Sequence, residues 1–201
     1  MLDKSIPYYP LMMYKTDTDS YPHYDLPDGY EFVLYQKGDE RHWVEIEMSV
    51  GQFATEEEGH SCFRREFLQE NAPSLEERML FVKAKSGEFV ATATLWNGDY
   101  LGEEKQRLHW LAVKDSHGGK GIAKALLSRL LSRYGELGYK GFLFLRTGTW
   151  NYTAISIYRK FGFTEYRGER SPFPKTDDVA FREQNEKALT IVNERISAFR
   201  K

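Results

Sequence analysis

Residues 113–127, Val-Lys-Asp-Ser-His-Gly-Gly-Lys-Gly-Ile-Ala-Lys-Ala-Leu-Leu, limit the fold of this chain more than any other stretch. An apolar run, 107–113, leads into them. After them Ala123, Leu126, Leu127, Leu130, Leu131, Tyr134 and Leu137 recur at three and four residues, the helical period. The segment therefore reads as strand, glycine loop, helix. Gly118, Gly119 and Gly121, with only Lys120 among them, remove side chains where the first helical turn still has unpaired N–H groups. Those groups and the positive end of the helix dipole suit a phosphate or pyrophosphate.

Spacing separates three glycine loops. A P-loop would need glycine at 114 and Ser or Thr after Lys120; the chain has Lys114 and Gly121. A dinucleotide fingerprint begun at Gly119 and Gly121 puts its last small position on Lys124, and no second-strand acid follows at the expected distance. The remaining stretch, Gly118-Gly119-Lys120-Gly121-Ile122-Ala123, resembles the R/Q-x-x-G-x-G/A motif of the GCN5-related N-acetyltransferases. In that family the loop backbone holds the pyrophosphate of acetyl-coenzyme A. One position departs: Gly118 stands where the family has Arg or Gln. Downstream, Asn151-Tyr-Thr-Ala154-Ile-Ser-Ile-Tyr158-Arg-Lys-Phe161-Gly162-Phe163 resembles the family's N-x-x-A-x-x-x-Y-x-x-x-G-F signature. The two matches stand in family order, separated by the apolar strand 143–145.

The resemblance implies an α/β (α+β) fold with a mixed, mostly antiparallel central sheet, helices on both faces, and a splay at one parallel strand pair. It implies an acetyltransferase domain over 30–170. A Tyr/Pro-rich arm, 1–29, precedes that domain, and an amphipathic helix, 171–201, follows it.

Along the chain, Pro7, Pro10, Pro22 and Pro27 forbid a long helix in the arm. Residues 11–14 can pair as a short strand there. The arm's tyrosines either wall a substrate cleft or pack the arm down. A strand is expected over 30–35, then a helix capped at Gly38-Asp39 and carrying Trp43, Val44, Ile46 and Val50. Thr55-Glu-Glu-Glu58 is a capping box for a second helix to Gln69, with Cys62, Phe63 and Phe67 inward. Runs 80–84 and 89–96 flank the hairpin signal Lys85-Ser-Gly-Glu88, and Asn97-Gly98 is expected to turn the chain again. Strand 107–113 should pair in parallel with 143–145, and 163–166 adds a further strand. In the tail, Phe181, Ala188, Leu189, Val192, Ile196 and Phe199 form a stripe over 178–200, packed on the chain's own domain or in a homodimer contact.

The composition brings in few other partners. The chain has 201 residues, a formal net charge of -2 and one cysteine, Cys62. These features predict no polyanion partner, no intramolecular disulfide and no membrane span. Nucleic acid and membrane are not expected partners. A start without a signal-peptide core makes cytoplasm the expected location. The histidines show no metal-ligand spacing with the acids, so no metal is expected.

The resemblance also distributes roles. Leu111, Ala112 and Val113 would bond the pantetheine arm through their backbone, as an added strand does. Gly118, Gly119, Lys120, Gly121, Ile122 and Ala123 would hold the pyrophosphate, with Lys120 and Lys124 available to neutralise charge. Asn151 would contact the cofactor or cap the helix it opens. Tyr158 would be the general acid for the departing thiolate; a phenol, with a reference pKa of about 10, can donate at neutral pH. His109 is the side-chain candidate for general base, with an ordered water as the alternative. Strand alternation would put His109 and Leu111 on one face, Trp110 and Ala112 on the other. Glu45, Glu47 and Glu56 to Glu58 would suit a cationic amine or else simply be solvated. The function implied is acetyl transfer from acetyl-coenzyme A to a primary amine of a small molecule or peptide. The alternatives are a non-catalytic sensor of acetyl-coenzyme A and a protein-interaction module on the same fold.

Overall fold

A computed structural model describes residues 2–199, except for the side chain of Phe199. Arg200, to which the tail stripe was expected to extend, and the Phe199 side chain lie outside the described residues. Seven strands form a mixed sheet: β1 (Pro10–Lys15), β2 (Tyr30–Leu34), β3 (Met79–Ala84), β4 (Phe89–Tyr100), β5 (Glu103–Val113), β6 (Leu143–Gly148) and β7 (Thr164–Glu165). Their order is β2-β3-β4-β5-β6-β1-β7. Pairing is antiparallel except for β5–β6, the parallel pair expected from sequence. The helices are α1 (Glu40–Ser49), α2 (Glu56–Phe67), α3 (Leu75–Arg78), α4 (Ile122–Glu136), α5 (Tyr152–Lys160) and α6 (Asp178–Phe199). The chain divides into two compact units.

The first unit comprises residues 23–96 and 108–139. Its core joins Trp43, Val44 and Ile46 of α1 and Cys62, Phe63 and Phe67 of α2 to Met79, Phe81, Trp96 and Ala112 on strands. Trp43 has Phe63 and Phe67 at 5.3 and 5.7 Å, ring centre to ring centre. Edge-to-face contacts of this kind add to what area burial contributes. The capping box at α2 forms in shifted register. The Glu58 N–H donates to Thr55 Oγ1 at 3.2 Å, while Glu58 Oε2 accepts from Ala54 N–H rather than from Thr55. In the same unit α4 buries Ile122, Leu126, Leu127, Leu130, Leu131 and Tyr134. The second half of the arm lies along α4, where Tyr24 N–H donates to Ser128 Oγ at 3.0 Å.

The second unit comprises residues 2–22, 97–107 and 140–199 as described. Here β1 runs antiparallel to β6, from Pro10 opposite Gly148 to Lys15 opposite Leu143, and to β7 on its other edge. The first part of the arm is thus an internal strand. Ahead of it, Trp150 Nε1 donates to Ile6 O at 2.8 Å and Thr149 Oγ1 to Pro7 O at 2.6 Å, so the arm is stitched to the end of β6. The stripe of α6 buries Phe181, Ala188, Leu189, Val192 and Ile196, with α5 and β1 as its packing partners.

The turn expected at Asn97-Gly98 lies further on. β4 continues through it to Tyr100, and the reversal falls on Leu101 and Gly102, with φ of 56° and 93°. Two residues of positive φ match the right-handed twist of a hairpin. Gly98 serves a close approach instead: a Cβ there would stand 2.6 Å from Arg107 Cδ and 3.1 Å from Phe144 Cζ.

Candidate functional site

The loop singled out in the sequence takes the expected form. β5 ends at Val113, a single 3₁₀ turn spans Asp115–His117, and α4 begins at Ile122. Gly119 and Gly121 have φ of 75° and 87°, a region open to glycine at little cost. A Cβ at either would meet nothing within 4 Å, so both face open space. Gly121 is the N-cap, no side chain caps α4, and its first turn carries no acid. The loop therefore presents helix-terminal N–H groups to a space no side chain fills, a geometry suited to an anion.

The lysines beside it have protein partners. Lys120 Nζ donates to Tyr30 OH at 3.2 Å, and Tyr30 OH pairs with His117 Nδ1 at 2.8 Å. Glu88 closes the network, 2.9 Å from Lys114 Nζ and 3.4 Å from His117 Nε2. The Lys114 hydrogen bond holds the Glu88 carboxyl below its ordinary range. Lys124 lies over the Tyr24 ring at 5.2 Å.

The strand that leads into the loop departs from regular alternation. Trp110 has φ of 51°, rare for a bulky residue. Its ring sits 5.1 Å from Trp43, while His109 meets Phe67 at 5.8 Å and Glu66 through Nε2···Oε2 at 2.9 Å. Ala112 belongs to the same core cluster. His109, Trp110 and Ala112 therefore all turn toward α1 and α2, which corrects the expectation that His109 and Trp110 occupy opposite faces. A residue in the left-handed region turns the chain out of the extended pleat, and the period of two is lost there.

The acids named for a cationic amine have different surroundings. Glu45 is exposed and lies 3.5 Å from His42. Glu56, Glu57 and Glu58 are exposed at the start of α2. Glu47 is 2% exposed, its Oε1 has no hydrogen-bond partner, and burial pushes its carboxyl up to about 8. The sequence carried a signal for this burial, since position 47 is four residues from Trp43 and three from Val44 and Val50, on the apolar face of α1.

In the second unit, Asn151 ends a 3₁₀ turn, Thr149–Asn151, at the N-cap of α5, and its side chain makes no capping bond. Tyr158 lies on α5, buried, with its ring 6.0 Å from Phe163. The sequence-predicted residues thus fall in two groups. His109, Leu111, Ala112, Val113 and 118–123 lie in the first unit, Asn151 and Tyr158 in the second. Sequence reasoning missed Glu66, the partner of His109, which lies 43 positions away. Its only mark was its place one turn after Cys62 and Phe63, at the border of the buried face of α2. Among the described residues no three His, Cys, Asp or Glu side chains gather as a metal site would need, and no helix is long and apolar enough to cross a membrane.

Comparison with known proteins bears on the family and the fold. The model of the acetyltransferase (GNAT) family matches residues 43–163. N-acetyltransferase family 8 member 2 of Rattus norvegicus is 40% identical over 62 residues, 31% of this chain and 27% of that protein. A GCN5-related N-acetyltransferase from Sphaerobacter thermophilus shares the fold at a TM-score of 0.58 and 24% identity, over 78% of this chain and 48% of that one. The ribosomal-protein-S18-alanine N-acetyltransferase of Escherichia coli does so at 0.52 and 22%, over 73% of this chain and 85% of that one. The match therefore spans about a quarter of the rat relative and half of the Sphaerobacter chain. With the family model covering more than half of its residues, the chain belongs to the GNAT acetyltransferase family.

Proposed function

We propose that the chain transfers an acetyl group from acetyl-coenzyme A to a primary amine carried by a small molecule or a peptide. The observation that carries this reading is the loop 118–123, which opens α4 without a side-chain cap and leaves the space before Gly119 and Gly121 clear. A pyrophosphate fits such a cradle because its oxygens can accept the first-turn N–H groups at the positive end of the helix. The small side chain of Ala123 keeps the approach open.

Acetyl-coenzyme A supplies the activated acetyl group as a thioester. In this reading the backbone of Leu111, Ala112 and Val113 pairs with the pantetheine arm and fixes the depth of the reacting carbonyl. Asn151, whose side chain is not committed to capping α5, contacts the cofactor. His109 takes the proton that the amine loses as it becomes an amide. Tyr158 gives a proton to the thiolate that leaves. The two transfers balance: an amine and a thioester become an amide and a thiol. A metal has no role in this scheme. Cytoplasmic location and homodimerisation also belong to the proposal.

The test is a thermal melt with acetyl-coenzyme A, desulfo-coenzyme A and ATP, followed by thiol release with added amines. Ligand at a hundred times its dissociation constant stabilises by about 2.7 kcal/mol, on the order of 5 °C for a chain of this size. A shift with both coenzyme A compounds and none with ATP, with thiol release that needs an amine, is the expected result. Absence of any shift would reduce the glycine loop to a turn. A shift without amine-dependent release would leave a sensor rather than an enzyme.

A further inference from the structure

The His109–Glu66 pair has a chemical consequence that neither residue has alone. The Nε2···Oε2 distance is 2.9 Å, and the two side chains are only 16% and 23% exposed. The pair lies against the ring of Phe67, which limits water around it. An ionised carboxylate has only acceptors, so the bond requires the imidazole proton to sit on Nε2. The lone pair of the neutral ring is then on Nδ1. From this geometry we propose that Glu66 is a positioning residue for acetyl transfer: it holds His109 in the Nε2–H tautomer, so that Nδ1 is the atom that takes the proton from the acceptor amine. The inference rests on the transferase reading given above.

Glu66 acts in two ways. It fixes the ring about its bond to the strand, one residue before the positive φ of Trp110. It also stabilises the imidazolium that forms when Nδ1 gains a proton, because an opposite charge lies in contact with the far nitrogen. The proton leaves the amine nitrogen as its bond to the acetyl carbon forms, resides on Nδ1, and returns to solvent after product departs. Nothing is oxidised or reduced. Arg65, 3.5 Å from Glu66 Oε1, places a positive charge beside the carboxylate. Cys62 on α2 and Glu47 on α1 are both uncharged near neutrality, since burial pushes the Cys62 thiol up and the Glu47 carboxyl up to about 8; Tyr35, in the same core, is raised by burial and is neutral as well. Phe67 and Trp110 contribute no charge.

The test uses the full chain labelled with ¹⁵N-histidine, the His109 signals being assigned by their loss in His109→Gln. His109 should show the Nε2–H pattern when neutral. In Glu66→Gln, which keeps an acceptor but not the charge, the tautomer should persist while the ring titrates about one pH unit lower. In Glu66→Ala the tautomer preference should be lost. With acetyl-coenzyme A and the probe amines n-butylamine and the dipeptide Gly-Lys, the acid limb of kcat/KM should move down by the same amount in Glu66→Gln. An Nδ1–H ring in the unsubstituted protein overturns the proposal, and so does an acid limb that stays in place while the ring titration moves. No thiol release from the unsubstituted protein overturns the transferase reading instead, and the ring measurement then still decides whether Glu66 holds the imidazole.

Discussion

Tyr158 and Trp110 mark the two limits of what a single residue discloses in this chain. Tyr158 stands seven positions after Asn151 and four before Gly162, a spacing that identified it in the sequence. Its burial on α5 fits a phenol shielded from bulk water. Tyr158→Phe removes one oxygen and little volume, so the fold and the thermal shift with acetyl-coenzyme A should persist while turnover falls by roughly a hundredfold, the usual size of a lost general acid. Turnover within twofold of the unsubstituted chain, measured by thiol release, would take Tyr158 out of the mechanism. Trp110 is the opposite case. A positive φ at a tryptophan leaves no trace in composition or periodicity, because the surrounding packing imposes it: the ring is held 5.1 Å from Trp43 and 5.8 Å from Phe53. Any face assignment by alternation along β5 was therefore bound to fail at His109, and the Glu66 contact was hidden with it.

Elements were legible where their ends are written locally. Thr55 with Glu58 announced α2, and Thr55 does accept the Glu58 N–H. Thr55→Ala should destabilise the chain by about 1 kcal/mol, seen as a lower thermal midpoint, with ligand binding unchanged. The glycine loop announced α4 in the same way. Gly121→Ala should cost roughly 1 kcal/mol through its φ of 87° alone. Gly121→Glu adds a carboxylate to the anion cradle and should weaken acetyl-coenzyme A by at least tenfold beyond the alanine variant, as read by isothermal titration. Equal affinities for the two variants would remove the phosphate from this loop. What could not be read was what is fixed at long range. The strand expected over 11–14 forms as β1, but its partner β6 lies more than 120 positions away, so no local pattern could place it between β6 and β7. Asn97-Gly98 is a strong hairpin signal, yet the glycine is used to admit Arg107 and Phe144, and the chain turns at Leu101 and Gly102.

The stability of the molecule as a whole carries the imprint of one buried acid. Glu47 has its carboxyl raised from 4.5 to about 8 by burial, so between those values the folded chain keeps a proton that the unfolded chain has released. The folded state then binds more protons, and stability must fall as pH rises through this window. Below about pH 4.5 both states are protonated and the penalty vanishes; above about pH 8 it is complete. From pH 5 to 8 the loss is on the order of 3 kcal/mol, since every tenfold difference in proton affinity between the two states is worth about 1.4 kcal/mol. Glu47→Gln keeps the shape of the side chain without the titration. The variant should therefore melt well above the unsubstituted chain at pH 8 and close to it at pH 5, the gap opening steadily between. A gap of constant size would mean that Glu47 is already ionised in the folded state at pH 5, held by a partner that its unpaired Oε1 does not have. The expected sign is opposite to that of a surface carboxylate such as Glu136, which Arg129 holds down to about 2 and which adds stability only above the acid range. Comparing the two pH profiles thus separates a buried acid in the aromatic core of α1 and α2 from ordinary acid denaturation.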